Sequence, residues 1–123
     1  MITQRRFKGT EPPSQMWLDS LTCLEKMEVS LTKKEVLKDE GTDFDGVIEG
    51  MRMGSSGEAM IRLKIHGFRE GGHPLFSGEV IEINVETFEI SENNEQLDTP
   101  NSNALNDEFN KQINVYAWKH AGG

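Results

Sequence analysis

The sequence has little of what secreted, membrane-spanning or metal-binding proteins use. Its one cysteine among 123 residues, Cys23, excludes an intramolecular disulfide and fits a reducing compartment. This cysteine lies between leucines, so we expect a buried and inert thiol. No apolar run has the length of a signal peptide or a membrane span, and we expect a cytoplasmic protein with no membrane partner. The histidines have no ligand spacing with cysteine or acids, so no metal or other cofactor is predicted.

Lysine and arginine are absent from residues 74–110, although acids occur along the whole segment. These acids are Glu79, Glu82, Glu86, Glu89, Glu92, Glu95, Asp98, Asp107 and Glu108. Residues 50–73 are by contrast richer in basic side chains. The formal charge of the chain is −8, which makes nucleic acid an unfavourable partner and permits a basic protein instead. The separation of charge also favours pairing of the two segments as strands.

Length and composition indicate one folded domain with a polar N-terminal extension. Apolar residues make up 35% of the chain, and a chain of this length can bury a core without metals or disulfides. Residues 1–13 contain Arg5, Arg6 and two adjacent prolines, a composition that prevents a helix and favours an extended path. We therefore expect an extended basic arm at 1–13, loose or docked on a neighbouring subunit, and a single α+β domain over 14–123.

The segment after the arm has helical periodicity. Ser14 suits the N-cap of a helix over 15–29, and Asp19 is expected near the positive end of the helix dipole. The apolar stripe of this helix has spacings of three and four and consists of Trp17, Leu18, Leu21, Leu24 and Met27.

A second helix is predicted over 33–39. Thr32 and Glu35 have the spacing of a capping box, and Gly41 can end the helix. Strand-compatible residues leave a strand over 26–31 as an open alternative.

From Gly41 onward the pattern changes to the alternation of a β-sheet. Val47, Met51 and Met53 predict a strand, which a turn at 54–57 follows. Clean alternation over 61–66 and 81–86 then predicts an antiparallel hairpin. Its register places Arg62 opposite Glu86, Lys64 opposite Asn84, His66 opposite Glu82, Leu63 opposite Val85 and Ile65 opposite Ile83.

Two details of this hairpin bear on chemistry and geometry. His66 beside Glu82 has the geometry for acid–base catalysis, although a surface cross-strand pair is the expected role. Phe88 and Ile90 break the alternation, so a bulge is expected near 86–87.

The C-terminal third is polar and then apolar. Residues 91–107 are expected to form a long loop, with a short helix from about 102 to 109. A final strand is predicted over 112–119, apolar on both faces and therefore covered on both. Its faces consist of Ile113, Val115 and Ala117 on one side and Tyr116 and Trp118 on the other.

Three short segments resemble functional motifs. Residues 42–46 resemble the middle of a calcium-binding loop, but Gly41 and Arg52 replace its acidic ends, so an Asp-rich turn is expected. The Gly122-Gly123 end is similar to the tail of ubiquitin-like modifiers, in which a strand leads into a free Gly-Gly that is activated for conjugation or sulfur transfer. The order of elements is also similar to oligonucleotide-binding barrels, whose basic and aromatic groove is opposed here by many glutamates. The residues available to such a groove are Arg62, Lys64, Tyr116 and Trp118.

We therefore expect an α+β fold, with an N-terminal helical segment packed on a small, mainly antiparallel sheet of four to five strands, open or barrel-like. Non-enzymatic protein binding is the predicted function, in two versions. In one, an acidic inhibitor, immunity or adaptor protein binds a basic partner. In the other, the chain is a structural subunit of a homo-oligomeric, virion- or tail-like assembly, in which Arg5 and Arg6 reach an acidic neighbour. The predicted acidic surface comprises Glu89, Glu92, Glu95, Asp98, Asp107 and Glu108, with Tyr116 and Trp118 as anchors.

Overall fold

Strands and helices follow one another through almost all of the chain that the computed structural model describes, residues 1–8, 11–54, 56–70 and 78–120. In order, they are β1 (Ile2–Lys8), α1 (Pro13–Lys26), β2 (Ser30–Glu40), β3 (Asp43–Gly54), β4 (Gly57–Glu70), β5 (Gly78–Ile90), β6 (Gln96–Leu97) and α2 (Pro100–His120). The strands form one antiparallel sheet in the order β1-β5-β4-β3-β2, with β6 paired to β5. The α+β class is thus confirmed. The sheet has six strands and is not closed, so the barrel-like alternative is wrong.

Both helices cover one face of the sheet, here named the inner face, and leave the outer face open. The core joins side chains of α1 and α2 to alternate residues of the strands, all at most 8% exposed. From the strands these include Ile48, Ile61, Leu63, Ile65, Ile83 and Val85. Neither helix is long and apolar enough to cross a membrane, as far as the described residues extend.

The register of β4 against β5 is the one that the alternation predicts, and all five predicted pairs are confirmed. The predicted bulge near 86–87 is wrong, because pairing continues without a shift to Ile61 opposite Thr87 and Met60 opposite Phe88. Thr87 takes the inner position and is fully buried. Phe88 lies on the outer face, where the guanidinium carbon of Arg62 stands 5.8 Å from its ring centre. Cover by a long cation makes an apolar outer position tolerable here.

The helix α1 begins one residue before Ser14, so the predicted N-cap is wrong. Pro12 is the N-cap, and no side chain caps the helix. Proline in the first turn costs nothing there, because its missing N–H would have no partner within the helix. The chain leaves the helix at Glu28, whose φ is +61°.

The predicted second helix is wrong, and so is its capping box. Residues 33–39 lie within β2, where Glu35 pairs with Val47 of β3. The spacing of Thr32 and Glu35 is therefore incidental. Pairing along β3 overrides the local helix preference of a segment rich in lysine and glutamate.

The predicted final strand is wrong as well, because residues 112–119 form the second half of α2. The helix buries Leu105, Phe109, Ile113 and Ala117, at intervals of four residues. Val115 is 64% exposed, on the side of the helix away from this stripe. The apolar residues at 113 and 117 fit the period of a strand as well as that of a helix. The apolar residues before them extend the helical spacing of four.

Residues 2–8 are extended, as expected, but they form the edge strand β1 and no loose arm. Thr3 lies opposite Val85 of β5. Two asparagines of α2 fix β1 from the inner face: Asn110 Nδ2 donates to Thr3 Oγ1 at 3.0 Å, and Asn106 Oδ1 accepts a hydrogen bond from Thr3 Oγ1 at 2.9 Å. This segment lacks apolar alternation because polar contacts with α2 replace part of the apolar packing.

Candidate functional site

The outer face of the sheet carries rows in which basic and acidic side chains alternate. Antiparallel pairing places one residue of each strand side by side on the same face, so each row crosses the sheet. One row, from β2 to β1, consists of Lys38, Asp45, His66, Glu82 and Arg6. A second row consists of Lys33, Glu49, Arg62 and Glu86. The face is therefore polar and largely neutralised within itself.

Arg62 binds an acid on each of the two neighbouring strands. Its Nε donates to Glu49 Oε1 at 2.8 Å, and its Nη1 donates to Glu86 Oε2 at 3.5 Å. The hydrogen bond to Glu49 is the largest cause of a raised Arg62 pKa. Similarly, contact of Lys38 Nζ with Asp43 Oδ2 at 2.7 Å raises the pKa of Lys38.

Glu82 lies opposite His66 in the register, but the side-chain contact of His66 is with Asp45. Its Nδ1 lies 2.6 Å from Asp45 Oδ1, and its ring stacks on Phe68 with centroids 5.1 Å apart. Glu82 instead accepts a hydrogen bond from Arg6 Nε at 3.2 Å. A hairpin pattern alone misses this arrangement, because β3 and β1 each contribute an outer neighbour from beyond the hairpin.

A groove of about 670 Å³ lies on the outer face beside β2. Leu37 and Lys38 of β2 line it, together with Val47, Lys64 and the His66–Asp45 pair. Among the described lining residues there is no hydroxyl or thiol that His66 could activate as a nucleophile. The groove is therefore better suited to binding than to covalent catalysis.

The edge strand β2 is exposed along almost its whole length. All of its residues are exposed except Lys38, which is half-buried. Val36 is 46% exposed and Leu37 is 62% exposed, although both are apolar. Since β2 pairs with β3 alone among the described strands, its other side presents backbone N–H and C=O groups without a strand partner. Register shifts between Leu31 and Lys33 and between Val36 and Lys38 add two irregularities.

Of the six predicted acidic residues, two form ion pairs within the chain and a third accepts a hydrogen bond. Asp98 binds the N-terminal ammonium group, and Glu108 Oε2 accepts a hydrogen bond from Arg52 Nη1 at 2.7 Å. Glu89 accepts a hydrogen bond from the Thr99 hydroxyl. Three acids stay exposed with no ion pair to any described residue: Glu92, Glu95 and Asp107.

The predicted anchors differ in what the structure assigns to them. Tyr116 is partly buried against the core, and Lys26 Nζ of α1 lies 5.0 Å from its ring centre. A hydrogen bond with Tyr116 raises the pKa of Lys26. The Trp118 side chain lies outside the described residues. Tyr116 thus joins α1 to α2.

The predicted basic residues of the N-terminal segment also face the chain itself. Arg5 Nη1 donates to the Asn110 carbonyl of α2 at 3.5 Å, and Arg6 binds Glu82. These contacts are intramolecular and hold β1 in place.

The motifs noted in the sequence either have structural roles or lie outside the residues that the structure describes. Asp43 and Asp45 of the calcium-like segment lie on β3 and bind Lys38 and His66. No cluster of three or more metal-ligating side chains occurs in the described ranges. The Gly122-Gly123 tail lies outside the described residues, and the segment before it is a helix where the modifier resemblance requires a strand.

The sequence did not predict one pair of buried carboxyl groups, because Glu11 lies within the predicted arm at 1–13. Glu11 is 8% exposed and Asp19 of α1 is 4% exposed. Burial, reinforced by Asp19, raises the pKa of Glu11 to about 8. Gln15 Nε2 donates to Asp19 Oδ1 at 3.0 Å. One turn further along α1, burial raises the pKa of the Cys23 thiol to about 12, which keeps this thiol protonated and unreactive.

No protein-family model matches the chain, and no curated protein matches it either. Among solved structures, one similar chain is titled "Crystal structure of Ara h 8.0201". The similarity covers 97% of this chain and 98% of that one, at 10% identity and a TM-score of 0.33. A likeness at this level carries no argument about function.

Proposed function

We propose that this protein is a non-enzymatic protein-binding module that holds its partner along β2. The observation that carries the proposal is the exposed apolar pair Val36 and Leu37 at the centre of an edge strand that is open on both faces. A partner strand laid along this edge would receive main-chain hydrogen bonds and cover the apolar pair. The groove beside Leu37 offers room for side chains of the partner on the outer face.

Some features of β2 oppose pairing with a partner strand. Lysines and bulges on an edge strand commonly prevent unwanted association, and β2 has both. Protected edges are however usually short, whereas β2 has 11 residues. Its three lysines are accompanied by three acids, so they repel a basic strand but not a strand whose charges match in sign. We therefore propose that the lysines and bulges of β2 select a partner strand of matching charge and do not prevent all strand pairing.

Binding of a basic partner through the acidic surface is the second candidate. Glu92, Glu95 and Asp107 favour it, because they are exposed and make no ion pair with described residues. Reversal of these three charges should slow association with such a partner and weaken its dependence on salt. An unchanged association rate would remove this candidate.

Site-specific photo-crosslinking tests the edge proposal. A benzophenone amino acid is placed at position 37 and, as the control, at position 115, since Leu37 and Val115 are 62% and 64% exposed. We expect protein cross-links from position 37, mapped to one defined peptide by mass spectrometry, and few from position 115. Equal and scattered cross-linking at both positions would contradict the proposal.

A further inference from the structure

We propose that the partner at β2 is a second copy of this chain, paired antiparallel about a two-fold axis with Glu35 opposite Lys38 of the other copy. This inference rests on the proposed function and names its partner. Two copies joined in this way would form one continuous sheet across the axis.

The charges of β2 are self-complementary in this register. Lys33 would face Glu40, Lys34 would face Asp39, and Glu35 would face Lys38. The two-fold axis generates each of these pairs twice, and every pair is of opposite sign. Cross-strand pairs of opposite sign stabilise a sheet, whereas pairs of like sign destabilise it.

The two faces of the sheet agree with the same register. A two-fold axis perpendicular to the sheet keeps both inner faces on the same side, so facing residues must share a face. Lys34 and Asp39 share the inner face, because they lie beside Ile48 and Phe44 of β3, which are both buried in the core.

The outer pairs satisfy this condition too. Lys33, Glu35, Lys38 and Glu40 lie beside outer residues of β3, namely Glu49, Val47, Asp45 and Asp43. That residues 35 and 38 share the outer face depends on the register shift between Val36 and Lys38, which makes Leu37 the extra residue of a β-bulge. Without that bulge, residues 35 and 38 would point to opposite faces and could not pair.

Two charges on β2 have no partner within the described chain. Lys34 and Asp39 make no ion pair or hydrogen bond with any described side chain, although they flank the apolar core. Each would become the partner of the other across the axis. On the outer face, Glu40 lies opposite Asp43, and Lys38 Nζ contacts their carboxylates at 3.9 Å and 2.7 Å. Lys33 of the second copy would add a second cation to this pair of acids.

The other edge of the sheet does not have this property. β1 carries three basic residues, Arg5, Arg6 and Lys8, and no acid, so antiparallel self-pairing of β1 would give none of them an acid opposite. With one self-complementary edge, association closes at two copies and does not continue into a fibre.

Two complementary variants test the register. One is Lys33→Glu/Lys34→Glu and the other is Asp39→Lys/Glu40→Lys. Each variant alone faces itself with like charges, so its self-association should weaken by roughly tenfold or more. An equimolar mixture has opposite charges at every facing position and should dimerise. Analytical ultracentrifugation measures the mass, and circular dichroism checks that each variant is folded.

The matched control is Glu25→Lys/Glu58→Lys, which changes the charge by the same amount as the second variant but alters exposed acids of α1 and β4, outside β2. It should dimerise like the unaltered protein. The inference is overturned if the unaltered protein sediments as a monomer up to hundreds of micromolar, or if the mixture of variants stays monomeric.

Failure of this inference can be told apart from failure of the proposed function. A monomeric protein whose position 37 cross-links to one identified foreign protein would refute the second copy and leave the edge function standing. A monomeric protein without specific cross-links at position 37 would refute both.

Discussion

The backbone of Gly46 lies directly beneath the indole ring of Trp17, so close that a Cβ at position 46 would stand 2.4 Å from Cζ3. This contact sets the distance at which α1 packs on β3. Since both the indole and the strand are fixed in the core, Gly46→Ala should lower the free energy of unfolding by about 1–3 kcal/mol. Urea denaturation measures the loss. In a Trp17→Leu background the same substitution should cost less, because the smaller side chain leaves room; additive losses would contradict the clash.

Glu11 makes the stability of the fold depend on pH. Burial raises its pKa to about 8, from an ordinary value of 4.5, so the folded state retains a proton that the unfolded chain releases. The contribution of this proton to stability is complete below the unfolded value and is lost as pH rises through about 4.5 to 8. The slope is at most about 1.4 kcal/mol per pH unit for one proton.

We therefore expect the free energy of unfolding to fall between about pH 5 and pH 8, and Glu11→Gln to flatten this dependence. Denaturant unfolding at several pH values measures both. Glu25→Gln, on the same helix but exposed, is the control and should leave the dependence as it is. An unchanged slope in Glu11→Gln would show that the proton resides elsewhere.

What the sequence predicts correctly is local and strongly periodic. The β4–β5 register follows from alternation on two neighbouring segments, and Arg62 opposite Glu86 could be placed by charge alone. Side-chain contacts that involve a third strand could not be predicted in this way. His66 binds Asp45 because β3 flanks β4 on its other side, and no pattern within one hairpin contains that information.

The wrong elements are those whose local pattern suits two structures. Residues 33–39 carry both a capping spacing and strand-compatible side chains, and their pairing with β3 decides. Residues 112–119 read as a strand until the apolar positions of 105 and 109 are joined to them. That β2 lies at an edge is a property of the strand order, so the candidate site itself could not be located from the sequence.

Arg62 should contribute more to stability than its neighbour Lys64 on the same face of β4. It separates Glu49 from Glu86 and binds both, whereas Lys64 makes no ion pair with the described residues. Arg62→Gln should lower the free energy of unfolding by about 0.5–1 kcal/mol, and high salt should shrink the difference. Lys64→Gln, the matched control, should change it by less than about 0.5 kcal/mol. Equal effects in thermal or urea unfolding would contradict the bridging role.

Thr87 offers a substitution that should stabilise the fold. Its side chain is fully buried on the inner face, and its Oγ1 has no hydrogen-bond partner among the residues that the structure describes. Valine has nearly the same shape without the hydroxyl, so Thr87→Val should raise the free energy of unfolding by about 1 kcal/mol or more, by removing an unsatisfied polar group. Thr3→Val is the contrasting variant, because Thr3 Oγ1 donates to Asn106 Oδ1 at 2.9 Å and accepts from Asn110. It should lose stability, since both asparagines of α2 then lack a partner on β1. Urea unfolding of the two variants compares them directly, and a loss of stability in Thr87→Val would show that its hydroxyl is bonded in solution.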